Sequence, residues 1–508
     1  AAFDSPVISV PSVRTAGHVV RGGEHLAKAA KTFGDVWKAF AGETSKYPDV
    51  TLAFSSGSDF KATDFLEKHA GDFTKIDAEI SKALAEYSKI QSLGNPEYDA
   101  RFKSAVTMLI SAQDRLRFLL SHQSAILSSL GHRAPQRYLI LNQNRDEIRA
   151  TGGFPGSAVF VELYKGRLTK YEKKDIYYYD WHLFPYAESA PRGIDRISEK
   201  WGLRDANYYP EMERNFATID SFYQKSGGSS LDGIFAMNQG IVVDLLSKYG
   251  PVGMPKIGKT IDAGNFSMLM SVLVENKISK TYSPKDVLFD FVTELENVLK
   301  QRKEYADYLE IFDRNAKNGE ILAYSKDSEV NAFFAEIFPG EKAKPFAGNF
   351  VYPIFTSISG NKSDRYVRRS FEIKGQPMEG CKVLNGFRME SDHAMTVDDK
   401  EKIRGLLYDL GVPPEEHEKQ IFIQGNGDNR QYVRVLVPKG SKISGQPPIQ
   451  IEIDDSMPDY TVFAFFITTV PGQKSGAFFD YESETKDCSK KPAFYVQPGL
   501  QNYQVKND

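Results

Sequence analysis

The chain has little cysteine: only Cys381 and Cys488 occur among its 508 residues, both in the last third. Neither has a histidine or a second cysteine beside it, and this isolation argues against a zinc site. Two interpretations remain, either unpaired core thiols or one disulfide that closes the C-terminal part of an exported protein. We predict the disulfide.

The chain also lacks an excess of charge and a long apolar run. Its net charge is −3 and its pI is about 6.3, so it has no basic field of the kind that nucleic-acid binding requires. Nucleic acid is therefore not an expected partner. No stretch approaches the run of about 18 apolar residues that a membrane-spanning helix needs, so no such segment is predicted.

Several catalytic signatures are missing as well. The sequence contains no HExxH zinc motif, no GxSxG nucleophile elbow and no dinucleotide-binding fingerprint. Hydrolase and dehydrogenase chemistry of those kinds therefore has little support. The first residue is Ala1 and not methionine. We interpret this as an extracytoplasmic product, secreted or at the cell surface, whose N-terminal signal or anchor was removed, although a trimmed sequence begins in the same way.

Helical spacing dominates residues 1 to about 135. Val19–Phe40 carries one apolar face. Leu66–Ile90 and Phe102–Leu130 place apolar side chains at alternating steps of three and four, with a Gly-Asn-Pro-Glu break between them. This pattern predicts an antiparallel helical hairpin with coiled-coil packing, in which each helix is on the order of 45 Å long.

Strands and helices alternate over residues 136–345, which predicts a central α/β domain. A tyrosine-rich strand is expected through Asp175–Asp180. Over residues 346–508 most segments alternate at period two, which predicts a β-sandwich with a strand at Gln420–Gln424 and one helix near 397–410. The predicted class is therefore multidomain α+β, with three domains.

A dense polar cluster separates the first two predicted strands of the central domain. Its side chains are Asn142, Asn144, Arg145, Asp146, Glu147, Arg149 and Thr151, and Gly152 and Gly153 follow. Polar groups at the end of a buried strand, beside glycines that let backbone come close, predict a pocket floor. The alternatives are a solvated loop, or an Arg149–Glu147 ion pair that stitches the hairpin to the sheet.

The spacing Asn144-x-x-Glu147-x-Arg149-x-Thr151-Gly-Gly-Phe154 also forms an extended motif. Further motifs follow it in order, at Leu203–Asn207, Leu231–Ile234, Leu245–Val252 and Asn361–Val367. With the helices ahead and the β-domain behind, this series resembles a bacterial domain of unknown function found in exported cell-envelope proteins. The resemblance covers nearly the whole chain and implies an envelope setting.

That family is similar, more remotely, to the LytR-CpsA-Psr (LCP) envelope proteins, which bind polyprenyl pyrophosphate lipids and transfer glycopolymers to the cell wall. The similarity implies an LCP-like α/β domain with an arginine-lined pyrophosphate pocket and a magnesium ion. Arg149 stands where that family places a pocket arginine, and Glu147 or Asp146 matches its acidic residue. The downstream arginine pair is not recognisable, and Ala150 replaces the usual proline.

On this interpretation the ligand is a polyprenyl-phosphate lipid or a cell-wall glycopolymer. Its expected ligand-binding residues are Asn142, Asn144, Arg149, Thr151, Gly152, Gly153 and Asn207, and the catalytic candidates are Glu147, Arg149 and Asp180. Arg149 and the two glycine amides would hold phosphate, and Glu147 or Asp180 would act as base or bind Mg²⁺. The aromatic run Tyr177–Tyr186 is a second candidate, for sugar or lipid-headgroup stacking or for a protein interface.

Two hypotheses from different classes follow. In the first, the α/β domain of an envelope protein handles a polyprenyl-linked or glycopolymer ligand, as a glycopolymer ligase if it is an enzyme. In the second, the chain is a non-catalytic surface component that self-assembles or binds other surface proteins. The first requires Arg149, Glu147 and Asn142 to meet at an open, positive pocket. A buried Arg149 in a closed ion pair favours the second.

Overall fold

The computed structural model describes residues 10–275, 286–302, 305–340, 348–484 and 491–506. The chain divides into two compact units. The first comprises Ala1–Arg137, Val161–Tyr171 and Asp327–Phe333, and the second comprises Tyr138–Phe160, Glu172–Lys326 and Phe334–Asp508. The observed elements confirm the predicted multidomain α+β class. The boundaries proposed near residues 135 and 345 stay a prediction.

The first unit is mainly helical. Its helices are α1 (Val10–Thr44), α2 (Ala62–Lys68), α3 (Ala70–Tyr87), α4 (Pro96–Ser121) and α5 (Gln123–Ser129). Helix α3 packs against both α1 and α4, so the helix predicted over Val19–Phe40 packs on the predicted pair of helices. The expected helix Leu66–Ile90 is interrupted at His69, whose backbone leaves the helical region, and it ends at Tyr87.

The start of α4 follows from its local sequence. The Asn95 side chain accepts hydrogen bonds from the backbone N–H groups of Glu97 (2.8 Å) and Tyr98 (3.3 Å), and Pro96 occupies the first helical position. An Asn cap followed by proline is a favourable helix start. The Gly-Asn-Pro-Glu segment was therefore correctly predicted to separate two helices.

A five-stranded sheet is formed by β1 (Gln136–Asn144), β2 (Phe154–Tyr164), β3 (Arg167–Asp175), β4 (Gly233–Met237) and β7 (Ile321–Ser325), and β5 (Val252–Met254) pairs with β6 (Lys259–Ile261) in a separate hairpin. The order of strands in the sheet is β3-β2-β1-β4-β7. Strands β1 and β4 run parallel, and β4 and β7 run antiparallel. The helices of this region are α6 (Ile176–Leu183), α7 (Met212–Lys225), α8 (Gly240–Tyr249), α9 (Phe266–Glu275), α10 (Asp286–Arg302), α11 (Tyr305–Lys317) and α12 (Ser328–Ile337).

Helix α6 lies where a strand was predicted, so the strand expected through Asp175–Asp180 is wrong. The Asp175 carboxylate accepts the backbone N–H of Tyr177 at 3.0 Å and caps the helix. Ile176, Tyr179 and Leu183 then recur at steps of three and four and join the apolar core under the sheet. Capping and helical burial outweigh the strand preference of the tyrosines.

The C-terminal part forms two β-sheets, in which most neighbouring strands run antiparallel. The strands are β8 (Phe350–Ser357), β9 (Val367–Met378), β10 (Lys382–His393), β11 (Asn429–Val437), β12 (Lys442–Ser444), β13 (Glu452–Ile453), β14 (Thr461–Thr469), β15 (Lys474–Glu484), β16 (Ala493–Phe494) and β17 (Tyr503–Lys506). One sheet has the order β13-β14-β11-β8-β16 and the other has the order β12-β15-β10-β9-β17. One buried cluster joins the sheets, with Phe371, Phe387 and Phe479 on one side and Val433 and Phe463 on the other.

Two helices accompany these sheets, α13 (Val397–Asp409) and α14 (Pro414–Ile421). The first confirms the predicted helix near 397–410. The second shows that the strand expected at Gln420–Gln424 is wrong, because Pro414 and the acidic first turn start a helix that continues as a π-helical segment over Phe422–Asn426. Cys381 is disulfide-bonded. Cys488, the other cysteine of the chain, lies outside the described residues.

Candidate functional site

The polar motif of the sequence lies in the turn between β1 and β2, and Arg149 is at its centre. The Arg149 side chain is only 1% exposed. Its Nε and Nη2 donate to Asp205 Oδ1 at 3.2 and 3.0 Å, and Nη2 also donates to Glu147 Oε1 at 3.2 Å. Its Nη1 donates to the carbonyl oxygens of Ile148 (3.1 Å) and Ser357 (2.8 Å). Each guanidinium nitrogen therefore has an acceptor inside the fold.

The charges continue beyond Arg149. Asp205, also 1% exposed, has its Oδ2 at 3.3 Å from Arg204 Nε. Arg204 Nη1 donates to Asp180 Oδ2 at 3.0 Å, and Asp180 Oδ1 accepts the backbone N–H of Leu203 at 2.6 Å. The side chains thus alternate in sign, and we call this row the charge ladder: Glu147, Arg149, Asp205, Arg204 and Asp180.

The ladder unites the three catalytic candidates with two residues that sequence reasoning did not single out. Arg204 and Asp205 lie in the motif Leu203–Asn207, so the motif pointed to the segment but not to their ionic role. The ladder is internally neutralised rather than positive, because each arginine stands between two carboxylates. An open, positive pocket at Arg149 is not what these contacts form.

Burial shifts the pKa of two acidic members of the ladder, Glu147 and Asp180. It raises the pKa of Glu147, and the neighbouring Arg149 offsets only part of this effect. Burial likewise raises the pKa of Asp180 to about 6, against the opposing influence of Arg204. The pKa of Arg149 is raised although burial alone would lower it, because Asp205 and Glu147 stabilise its charge. The ladder therefore couples a permanently charged arginine, Arg149, to a carboxyl group that resists ionisation, Glu147.

The predicted ligand-binding residues mostly bind one another. Asn207 Nδ2 donates to Thr151 Oγ1 (3.1 Å) and to the carbonyl oxygen of Gly153 (2.8 Å). Asn144 Oδ1 accepts from the backbone N–H of Asp146 (3.0 Å) and from Gln239 Nε2 (2.6 Å). These contacts hold the turn in shape.

Asn142 and the two glycines also serve packing. Asn142 Nδ2 donates to Ser157 Oγ at 3.1 Å across the β1–β2 pair. Gly152 has a φ of 128°, and a Cβ there would collide with the Asn238 side chain. A Cβ at Gly153 would collide with the backbone of Asn144. Close approach of two chain segments is therefore sufficient reason for this glycine pair.

The same turn is bonded to the segment 361–369, which contains the last of the sequence motifs. Arg365 Nη2 donates to Asp146 Oδ2 at 2.6 Å, and the backbone N–H of Ile148 donates to Asp364 Oδ2 at 3.1 Å. Asp364 Oδ1 in turn accepts from Arg369 Nη2 at 2.6 Å. We call these contacts, together with the Arg149–Ser357 bond, the latch. They join the β1–β2 turn to the β-sandwich.

One segment of the chain is similar to a known family. Residues 133–273 match the model of a family described as "Protein of unknown function (DUF4012)". All five members of the charge ladder lie in the matched segment, whereas Asp364 and Arg365 lie beyond it. Similarity to the LytR-CpsA-Psr proteins is not part of this match and stays a prediction.

Other comparisons add little to the DUF4012 match. No curated protein matches the chain. Among solved structures, the X-ray structure of the Lin1025 protein from Listeria innocua shares 9% identity, with a TM-score of 0.24, over 44% of this chain and 86% of that one. A likeness at this level carries no conclusion about the site.

Within the described ranges, no three His, Cys, Asp or Glu side chains are grouped so as to hold a metal ion. Glu147 and Asp180, the predicted magnesium ligands, each face an arginine of the ladder. In the same part of the chain, none of the helices has both the length and the apolar character needed to cross a membrane.

Sequence reasoning overlooked one motif. Gly253–Thr260 has the G-x-x-x-x-G-K-T spacing of a phosphate-binding loop. That loop must connect a strand to a helix whose first amides face the phosphate. Here the segment forms the β5–β6 hairpin instead, and α9 begins only at Phe266. The geometry is not that of a nucleotide-binding loop.

Asp180→Asn is expected to change the pH dependence of stability. Because burial raises the pKa of Asp180 from 3.8 to about 6, the folded chain binds this proton more tightly than the unfolded chain. The resulting stabilisation is full below about pH 4 and is lost as pH rises through about 6. The free energy of unfolding of the wild type, relative to Asp180→Asn, should therefore fall by about 2 to 3 kcal/mol between pH 4 and pH 7.

Urea unfolding at several pH values measures this difference. Asp459→Asn is the matched control, because Asp459 is exposed and its ion pair with Arg214 lies at the surface. Parallel pH profiles for the wild type and Asp180→Asn would contradict the assignment of the raised pKa to Asp180.

Proposed function

We propose that this chain is a non-catalytic structural protein of the cell envelope, which acts outside the cytoplasm as a scaffold for protein assembly. In this proposal the polar motif forms the contacts of the latch, which fixes the α/β sheet to the β-sandwich. The observation that carries it is the closure of Arg149, whose guanidinium nitrogens all bond to acceptors of the fold.

A pyrophosphate pocket needs cations whose N–H donors point toward the ligand. For Arg149 to fill that role, its bonds to Asp205 and Glu147 would have to break, which would leave Glu147 without its bond to Arg149 and Asp205 with Arg204 as its remaining ion-pair partner. Breaking a buried ion pair costs about 3 to 5 kcal/mol, which is comparable to a large share of a ligand's binding energy. The closed arrangement therefore favours a structural role over ligand binding at this turn.

Two observations support the extracytoplasmic setting. Cys381 is disulfide-bonded, and disulfides persist mainly in oxidising compartments. The DUF4012 match is compatible with the envelope family that the sequence motifs resemble. Alkylation of cells before lysis, followed by nonreducing electrophoresis, would test the oxidised state where the protein resides.

The scaffold role is supported by helix α4. Its seam with α3 is partly polar, because buried Gln113 donates to Asp77 Oδ1 and Ser81 Oγ, each at 2.7 Å. Met108 and Leu119 point away from that seam and are more than half exposed. In this proposal, Met108 and Leu119 belong to the surface of α4 that meets another protein. We therefore expect α4 to take part in self-association.

Two measurements test the proposal. Calorimetric titration of the full chain with a short-chain polyprenyl pyrophosphate, with and without Mg²⁺, should show no binding. Sedimentation velocity over a range of protein concentrations should show reversible oligomers, and Met108→Glu should shift them to monomer while Met108→Leu should not.

The opposing results are distinct. Micromolar binding by the wild type, lost in a folded Arg149→Ala variant, would overturn the structural interpretation and make a transferase assay the next step. A wild type that stays monomeric at every concentration would overturn self-assembly.

A further inference from the structure

A patch of exposed aromatic side chains lies on and just after α6. We call Tyr177, Tyr178, Trp181 and Tyr186 the aromatic patch. Trp181 is 78% exposed and Tyr186 is 67% exposed, while the other two are about half exposed. Large aromatic side chains are normally buried to a much greater degree, so four of them on ten residues of surface need an explanation.

The patch is not a consequence of core packing. Helix α6 already buries its other face, through Ile176, Tyr179 and Leu183. An ordinary surface helix would carry polar side chains on the remaining face. In α6 that face is aromatic instead. It is also held firmly, because Asp180 on the buried side bonds to Arg204 and to the backbone of Leu203.

Cationic side chains lie among the rings. Lys174 Nζ is 4.6 Å from the centroid of the Tyr178 ring, and Lys200 Nζ is 6.0 Å from that of Phe184. Arg204 stacks 5.5 Å from the Tyr177 ring on the inner side. Of the acidic residues on these elements, Asp175 accepts a hydrogen bond from the backbone of α6, Asp180 is buried, and Glu188 pairs with Lys225 at 2.9 Å. Glu172 is half-buried and Glu199 is exposed. The aromatic surface therefore has lysines close to its rings, and three of the nearby carboxylates are engaged within the fold.

We propose that the aromatic patch docks on the surface of an anionic lipid bilayer. Tyr and Trp prefer the headgroup level of a membrane, where the ring meets the acyl boundary and the polar atom stays in water. Nearby lysines add attraction to anionic headgroups. The patch contains two aromatic residue types, Lys174 lies against the ring of Tyr178, and Lys200 lies near the adjacent Phe184.

The exposure of the rings favours a bilayer over a sugar polymer. Sugar recognition requires a ring platform flanked by polar side chains that bond the hydroxyl groups. Trp181 and Tyr186 instead project with most of their surface in solvent. Projecting rings can insert into the headgroup region of a bilayer without a preformed cleft, because lipids rearrange around them. The proposal is independent of self-assembly, because it concerns α6 and not α4.

Vesicle co-sedimentation of the full chain tests this inference. We expect binding to vesicles that contain phosphatidylglycerol and little binding to vesicles of phosphatidylcholine alone. Trp181→Ala should lower the partition coefficient by roughly tenfold, and the double variant Lys174→Gln/Lys200→Gln should lower it by roughly the same factor at low salt. Trp37→Ala is the matched control, because Trp37 is also more than half exposed but lies on α1, and it should leave binding unchanged.

Fluorescence gives a second readout. Phosphatidylglycerol with brominated acyl chains should quench part of the tryptophan emission of the wild type, and this quenching should be absent in Trp181→Phe. Trp181, Trp37 and Lys200 are exposed and Lys174 is half-buried, so circular dichroism should confirm intact folding of the variants. Equal binding to a soluble anionic glycopolymer without quenching would overturn the lipid assignment in favour of a polymer surface. Unchanged vesicle binding by Trp181→Ala, or none by the wild type, would overturn it outright.

Discussion

Replacing Arg149 with alanine is expected to lower the free energy of unfolding by about 3 to 5 kcal/mol. The reason is that the substitution removes hydrogen-bond donors from the buried acceptors around Arg149. Asp205 would lose its bonds to Nε and Nη2, and Glu147 would lose its bond to Nη2. The carbonyl oxygen of Ser357 would also lose a donor. Urea or guanidinium unfolding, followed by circular dichroism, measures the loss.

Arg192→Ala is the matched control for this prediction. Arg192 makes two hydrogen bonds of 2.9 Å to Glu452, yet its side chain is 43% exposed. An ion pair of that exposure contributes at most about 1 kcal/mol. The contrast between the two arginines isolates burial as the cause of the larger loss.

The result also separates the two functional hypotheses. A ligand-binding arginine can be removed with little loss of stability, since its partner is absent from the free protein. An arginine of the latch cannot. If Arg149→Ala unfolds at the same denaturant concentration as the wild type, Arg149 is not structural, and the pocket predicted from the sequence regains support.

Local sequence was sufficient for much of the fold. The period-two segments of the β-sandwich and the helix near 397–410 were predicted at nearly their observed positions, because alternation and capping act over a few residues. Thr396 and Asp399 illustrate this, since each side chain bonds the backbone of the other in a capping box. The two misassigned strands, at 175–180 and 420–424, had strand-favouring residues, and their helical state depended on a cap or an early proline.

The state of the candidate site could not be predicted in the same way. The sequence identified Glu147, Arg149 and Asp180 as candidate site residues. It left open whether their side chains bind a ligand or form ion pairs within the fold. The answer depends on partners that are 56 residues away for Asp205 and 208 residues away for Ser357. No local pattern reports such pairings. A buried charge and a partner that is distant in sequence can be identified only from the three-dimensional arrangement of the strands.

Asp364→Ala is expected to destabilise the chain by a similar amount, about 3 to 5 kcal/mol. Asp364 lies beyond the DUF4012 match but accepts hydrogen bonds from Arg369 Nη2 (2.6 Å), Gln431 Nε2 (3.0 Å) and the backbone N–H of Ile148 (3.1 Å). Loss of the Asp364 carboxylate would leave the buried charge of Arg369 without this ion-pair partner. The Arg369 guanidinium packs 4.6 Å from the ring centroid of Phe355. Asp459→Ala, at an exposed ion pair, should cost about 1 kcal/mol or less.

A second substitution shows which loss dominates. Adding Arg369→Met to Asp364→Ala removes the buried guanidinium charge that has lost its carboxylate, so it should recover part of the lost free energy of unfolding. No recovery would mean that the lost bonds to Ile148 and Gln431 cause the effect.

The combination of Asp364→Ala with Arg149→Ala then tests the latch as a unit. Both residues bond to Ile148, one to its N–H and one to its carbonyl oxygen. Residues that share a partner should give a combined loss smaller than the sum, by about 0.5 to 3 kcal/mol, whereas strict additivity would show that the two contacts hold the turn separately.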